Sequence, residues 1–176
     1  MATSSEFNTV IALCRELFVK KMKDYGLSWR IMRLPSLTDQ IFIKAKRIRE
    51  IQETGVQRVN EDINGEFIAI INYSIIALIQ IELANDSDWD ISEENSIELY
   101  DKYTQKAHDL MLDKTHDYGN AWRDMRQCSF CDIILQKLLR VKSIEDHNGI
   151  TIASEGIAAN YYDIINYAVF ALIKKQ

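Results

Sequence analysis

Apolar residues return at three- and four-residue intervals over most of the chain, a rhythm that predicts helices and not strands. From about Asn8 to Lys23 the stripe is Val10, Ile11, Leu13, Cys14, Leu17, Phe18 and Met22, with Arg15, Glu16, Lys20 and Lys21 between them. Gly26 stands where a left-handed C-cap would end this first helix, and Trp29 is expected to pin the next turn to the core. Beyond Pro35, Ser36 or Thr38 is placed to cap a second helix running to about Glu53. Gly55 and Gly65 bracket a loop, and a third helix follows to about Ala84. Its stretch from Phe67 to Ile81 is almost wholly apolar but shorter than the ~20 residues that cross a bilayer, so a buried helix is expected and no membrane. Asn72 in its middle needs partners, because an unpaired buried amide costs roughly 1–3 kcal/mol.

After a polar connector, Asn85-Asp86-Ser87-Asp88-Trp89-Asp90, the rhythm starts again. A fourth helix begins at Glu93 or Ser96 and runs to Lys114 on a core stripe of Leu99, Tyr103, Ala107, Leu110 and Met111. A fifth spans Phe130 to Asp146, Gly149 marks the next loop, and a sixth spans about Ser154 to Lys174. This second pass repeats the first. Adding 93 carries Asp24–Ile51 onto Asp117–Ile144 without a gap, and 13 of those 28 positions are identical: Asp24, Tyr25, Gly26, Trp29, Arg30, Met32, Arg33, Ser36, Asp39, Ile41, Lys44, Arg47 and Ile51. At an offset of 94, Glu61, Ile70, Ile71, Asn72, Tyr73, Ala77, Leu78 and Ile79 recur as Glu155, Ile164, Ile165, Asn166, Tyr167, Ala171, Leu172 and Ile173. The chain is an internal tandem duplication.

The expected fold is therefore all-α: two three-helix repeats, residues 1–84 and 96–176, joined by a connector at 85–95 and packed face to face as a pseudo-twofold bundle, with the lysines, arginines and acids shared by the repeats converging on one cleft. Composition narrows the function. With 176 residues, 47% hydrophobic and 27% charged, the chain can bury a full core, and a single proline and six glycines leave little punctuation for a many-stranded sheet. A net charge of −5 argues against general nucleic-acid binding and for a small partner. The start, Met1 to Glu6, lacks the basic and apolar regions of a signal peptide, so a cytoplasmic protein is expected. Cys14, Cys128 and Cys131 suit a reducing compartment; the Cys128/Cys131 spacing has no second pair to make a zinc site and reads as ordinary thiols. His108, His116 and His147 are scattered and expected at the surface.

Repeated apolar positions say little about chemistry, since any core would keep them. Repeated charges say more, because surface charges change at little cost, within about ±0.5 kcal/mol. Lys21/Lys114, Asp24/Asp117, Arg30/Arg123, Arg33/Arg126, Asp39/Asp132, Lys44/Lys137, Arg47/Arg140 and Glu61/Glu155 match across the halves. They suggest a phosphate site, in which arginine and lysine neutralise phosphoryl oxygens while carboxylates hold a divalent cation. Glu155 and Asn166 are eleven apart, about 20° around an ideal helix, and Asp163 precedes Asn166 by one turn, so the three are expected on one broad face that would hold Mg²⁺. The alternative is ion pairs within each repeat, such as Asp24 with Arg30, and an amide pair between Asn72 and Asn166.

At these residues the chain resembles a known family. Lys114, Asp117-Tyr118-Gly119, Trp122-Arg123, then Lys137 and Arg140, then Glu155 and Asp163-Ile164-Ile165-Asn166-Tyr167-Ala168 are similar to the nucleotide-modification-associated domain of phages and bacteria, once per half. More distantly the pattern resembles the all-α nucleotide pyrophosphatases of the MazG and dimeric dUTPase type. The resemblance implies a helical bundle that acts on or senses nucleoside phosphates with Mg²⁺. On it, Glu155 and Asp163 are the expected catalytic and metal residues, with Glu61 as a further metal candidate. Lys114, Arg123, Lys137 and Arg140, with Lys21, Arg30, Lys44 and Arg47 in the first half, are expected on phosphate. Asp117, Tyr118, Trp122, Asn166 and Asn72 are the expected substrate contacts. The chain departs from the pyrophosphatases where their Glu-x-x-Glu pair would stand, offering Ile43 or Gln136 beside Lys44 or Lys137. Ala69 occupies the position of Asp163, and Asn160 that of Glu66. A pyrophosphohydrolase-like enzyme is the first expectation, a non-catalytic nucleotide-binding protein the second, and a purely structural module the third. Further assembly as a homodimer stays open.

Overall fold

The computed structural model describes residues 2–86 and 90–175, and among these the chain is helical with no strand. Six α-helices follow one another: α1 (Ala2–Tyr25), α2 (Leu34–Thr54), α3 (Ile63–Glu82), α4 (Glu93–Tyr118), α5 (Gln127–Asp146) and α6 (Ile157–Lys175). Short 3-10 turns lie at Ser28–Ile31, Leu83–Asn85 and Ala121–Asp124. Ser87, Asp88 and Trp89 of the expected connector lie outside the described residues, and 93–95 already belong to α4.

The centre is the pair α3 and α6, which pack along each other; α2 lies on α3 and on α5, and α5 on α6. The outer helices α1 and α4 touch each other and each also crosses to the other half, α1 onto α6 and α4 onto α3. From Ile70 to Gln80 every residue of α3 but Tyr73 is buried, and from Asn160 to Ile173 every residue of α6 but Tyr162 and Tyr167. This explains the near-continuous apolar run: a helix enclosed on all sides gains roughly 1.5–3 kcal/mol per large side chain whichever way it points. By length and composition alone Ile63–Asn85 would cross a membrane, but most of it is buried within the bundle.

Helix ends follow local chemistry. Gly26 has φ +67°, and its N–H bonds the Met22 carbonyl at 2.8 Å, so a residue that tolerates positive φ closes α1 as expected. At the start of α2 the expectation fails: the N-cap is Arg33, with Pro35 in the first turn, and Thr38 is buried inside the helix. Its hydroxyl meets the Tyr161 hydroxyl at 2.5 Å and Glu145 Oε1 at 2.6 Å, tying α2 to α5 and α6. Burial holds the Glu145 carboxyl above the ordinary range. The core stripe of α4 turns slightly from the expected one: Tyr100 is fully enclosed and Leu99 only partly. The starts of α1 and α6 also move: α1 begins at Ala2, ahead of the expected Asn8. Helix α6 begins at Ile157, which leaves Glu155 in the exposed loop before it.

Candidate functional site

Each half builds the same turn. After α1 and α4 the backbone passes through a glycine of positive φ, Gly26 (+67°) or Gly119 (+61°), into a 3-10 turn whose tryptophan is buried. Equivalent positions hold these turns by different chemistry. In the first half the Gln80 amide donates to the carbonyls of Arg30 at 2.9 Å and Met32 at 2.8 Å; in the second, Lys174, 94 residues on, donates to those of Arg123 and Met125, both at 2.5 Å.

Beside each turn lies a cleft, about 330 Å³ in the first half and about 400 Å³ in the second. Their walls correspond residue for residue: Lys21 and Lys114, Tyr25 and Tyr118, Trp29 and Trp122, Met32 and Met125, Asn72 and Asn166, Tyr73 and Tyr167. The expected convergence of both halves on one cleft is therefore corrected. Each cleft is lined by its own repeat, because the residues shared by the two units face the turn of their own unit.

The second cleft carries the charge cluster. Asp163, buried on α6, receives the Lys114 ammonium on Oδ1 at 2.5 Å and the Lys137 ammonium on Oδ2 at 2.8 Å. Burial pushes the Asp163 carboxyl up, but the two lysine hydrogen bonds and charges outweigh it and hold the carboxyl below its ordinary value. One carboxylate faces two ammonium groups, so the cluster is net positive. Tyr118 stands 77% exposed and offers an open ring. Trp122 does not: Phe170 stacks on it at 4.3 Å and 5°, and the Arg123 guanidinium lies over it at 4.3 Å. It walls the cleft by its edge.

In the first half the acid sits one turn earlier. Ala69 replaces Asp163, while Glu66, where the second half has Asn160, lies buried against Arg47 at 3.2 Å and Lys44 at 3.7 Å. Lys44 and Arg47 are thereby taken up in an ion cluster off the cleft, and Lys21 has no partner among the described residues. Asn72 donates to the Cys14 carbonyl at 3.1 Å and accepts from the Tyr100 hydroxyl at 2.7 Å. Asn166 donates in the same way to the Ala107 carbonyl at 3.2 Å, but its Oδ1 is buried without a partner. The expected Asn72–Asn166 pair does not form. The Tyr100 contribution escapes a repeat-by-repeat reading because it crosses from α4 to α3; only its mismatch with Phe7, 93 residues earlier, signals it.

Other expected site residues lie elsewhere. Arg123 is bound to Glu6 and Thr3 of α1, and Arg30 to Gln80 Oε1 at 2.7 Å, so both anchor their turns. Arg140 and Glu155 line a separate open groove that touches the cleft only through Lys137, because Glu155 is not on the helix that carries Asp163. Glu61 lies in the loop before α3, its carboxylate 3.9 Å from Arg47. Asp117 is exposed beside His116 at 3.1 Å. Of the histidines, His108 is not at the surface: it is half-buried between the Ser4 hydroxyl and the Phe7 ring. Cys131 is buried on the Ala45 carbonyl and Cys128 exposed, as separate thiols.

The acids expected to hold Mg²⁺ do not assemble. No three His, Cys, Asp or Glu side chains gather at a point among the described residues, Glu155 and Glu61 do not line the cleft, and both oxygens of Asp163 are occupied by lysine. These donors do not fit a magnesium ion.

Comparison with known proteins agrees with the repeat. The family model described as nucleotide modification associated domain 1 matches twice, at residues 21–81 and 114–174, each match beginning at the cleft lysine. No curated protein and no solved structure matches the chain.

Proposed function

The chain belongs to the nucleotide modification associated domain 1 family, and from that premise we propose a nucleoside-phosphate-binding protein whose ligand sits in the second-half cleft and is held without hydrolysis. The observation that carries this is the meeting of Lys114 and Lys137 on one buried carboxylate in a cleft with an open tyrosine ring at its side. Each ammonium gives Asp163 one of its three donors, and the surplus positive charge favours a phosphoryl group that takes the remaining donors beside the carboxylate. Tyr118 supplies a ring face for the base.

The two repeats are proposed to relate by an approximate twofold axis between α3 and α6, supported by the reciprocal packing of α1 on α6 and α4 on α3. In this reading the bundle is of the all-α pyrophosphatase kind, with ligand binding kept and the metal carboxylates gone.

The test is a thermal melt with nucleoside triphosphates, with and without Mg²⁺, alongside an assay for released pyrophosphate. A ligand at a hundred times its Kd stabilises by about 2.7 kcal/mol, roughly 5–10 °C for a chain of this size. The expected result is such a shift, abolished by the double substitution Lys114→Met with Lys137→Met and unaccompanied by turnover. A flat melt with every nucleotide at millimolar concentration overturns binding; pyrophosphate release that Mg²⁺ stimulates overturns the non-catalytic assignment.

A further inference from the structure

Lys137 of α5 lines two spaces at once: the second cleft, and the groove of about 1070 Å³ between the end of α5 and the loop that leads to α6. Arg140, three residues further on, lines the groove and not the cleft, and it has no partner among the described residues. At that helical spacing the two side chains are neighbours, about 5–6 Å apart at Cβ. The groove also holds the exposed carboxylates of Asp146 and Glu155, neither of which pairs with Arg140, and His147, whose ring is turned to the Ser143 carbonyl at 2.6 Å.

The first half shows the same arginine in service of the fold. Arg47, 93 residues before Arg140, donates to the carbonyls of Val59 and Glu61 at 3.2 and 3.0 Å and pairs with Glu66 at 3.2 Å, and Lys44 reaches the same carboxylate at 3.7 Å. In the second half Asn160 holds the position of Glu66, buried on the groove wall with its amide spent on the Gly156 carbonyl at 3.0 Å. A neutral amide gives an arginine no counter-ion. Lys137 turns to Asp163 in the cleft instead, and the Arg140 guanidinium stands beside it uncompensated.

Lys114, Lys137 and Arg140 thus set three cations against one enclosed carboxylate, along a line that leaves the cleft. A single phosphoryl group on the two lysines stays within the cleft; reaching Arg140 takes further phosphates beyond Lys137. Building on the nucleotide-binding reading above, we infer that the ligand carries a polyphosphate chain, which passes Lys137 into the groove and ends on Arg140. The planar guanidinium suits the terminal phosphate, where two oxygens can be taken together. Arg140 is then the residue that tells a nucleoside di- or triphosphate from the monophosphate. The first half has no such reader, because Glu66 holds Arg47.

The experiment is calorimetric titration of the full chain with the mono-, di- and triphosphate of one nucleoside, repeated for each common base. The triphosphate is expected to bind at least tenfold tighter than the monophosphate. Arg140→Met, at an exposed position, should weaken the triphosphate roughly tenfold, the worth of a charge-assisted hydrogen bond, and leave the monophosphate within twofold. Asn160→Glu supplies the carboxylate that the first half uses and should have the same effect with Arg140 still present. If that buried change does not fold, Arg140→Met carries the test. Equal affinity of the parent for mono- and triphosphate overturns the inference and leaves the binding proposal standing. So does an Arg140→Met variant whose triphosphate-to-monophosphate ratio stays within twofold of the parent's, since the arginine would then act only through its general field. Failure of the parent to bind any of these nucleotides overturns both.

Discussion

Tyr100→Phe removes a single oxygen from the interior. The Tyr100 ring is fully buried and packs on Phe18 at 4.6 Å between centroids, and phenylalanine keeps that ring in place, so no cavity larger than the hydroxyl opens. What is lost is the 2.7 Å hydrogen bond to Asn72 Oδ1, leaving the acceptor of a residue only 8% exposed with nothing to bond. An unpaired buried acceptor costs about 1–3 kcal/mol, and deletion of the hydroxyl returns part of that because the tyrosine no longer has to be desolvated. A net loss of about 1.5 kcal/mol is expected, or roughly 3–6 °C in Tm for a chain of this length. Urea unfolding should move to a lower midpoint with an unchanged slope, since the surface exposed on unfolding stays the same. The reverse change, Phe7→Tyr, should raise the stability by about 1 kcal/mol, and the midpoint with it, by pairing Asn166 Oδ1. The reasoning is refuted if Tyr100→Phe leaves the midpoint unmoved, or if Phe7→Tyr destabilises as much as Tyr100→Phe does.

Asp163→Asn should cost stability mainly above the ordinary carboxylate pKa of about 3.9. The folded value is depressed, so the contribution is fully present above that pH and fades as pH falls through the lower folded value; urea midpoints of parent and variant should converge only on acidification. Glu66→Gln should destabilise by about 2 kcal/mol, because Lys44 and Arg47, each about a quarter exposed, lose a buried partner but retain some access to water; differential scanning calorimetry measures it. In a native thiol titration only Cys128 should react quickly, since burial pushes the Cys14 and Cys131 thiols up to about 12; mass spectrometry should find one adduct before denaturant and three after. Lys174→Met should loosen the second tryptophan turn and cost about 1 kcal/mol, visible as a blue-shift loss in Trp122 fluorescence before the global melt.

The helices and their order were legible because a duplicated chain states its pattern twice, and buried α3 and α6 carry a near-continuous apolar signal. The cleft residues Lys114, Lys137, Asn166, Tyr118 and Trp122 were legible for the same reason; Asp163, which stands opposite Ala69, was legible from its place one turn before Asn166. Glu155 was misplaced because helical spacing does not extend back through Gly156, where the helix has not yet begun. Arg123 and Arg30 looked like phosphate ligands because retention of charge does not say whom the charge serves; contacts with α1 and with Gln80 do. Bonds that cross from one half to the other, such as Tyr100 to Asn72, leave no trace in a comparison of each repeat with itself.

The shift of the acidic residue from Glu66 in one half to Asp163 in the other has an evolutionary reading. An assembly of two identical subunits stamps every substitution on both of its sites, so neither can drift while the other is under selection. Joining the copies in one polypeptide lifts that constraint. One half is then free to put its acid into an ion cluster that ties two helices together, while the other keeps its acid and both lysines at the cleft.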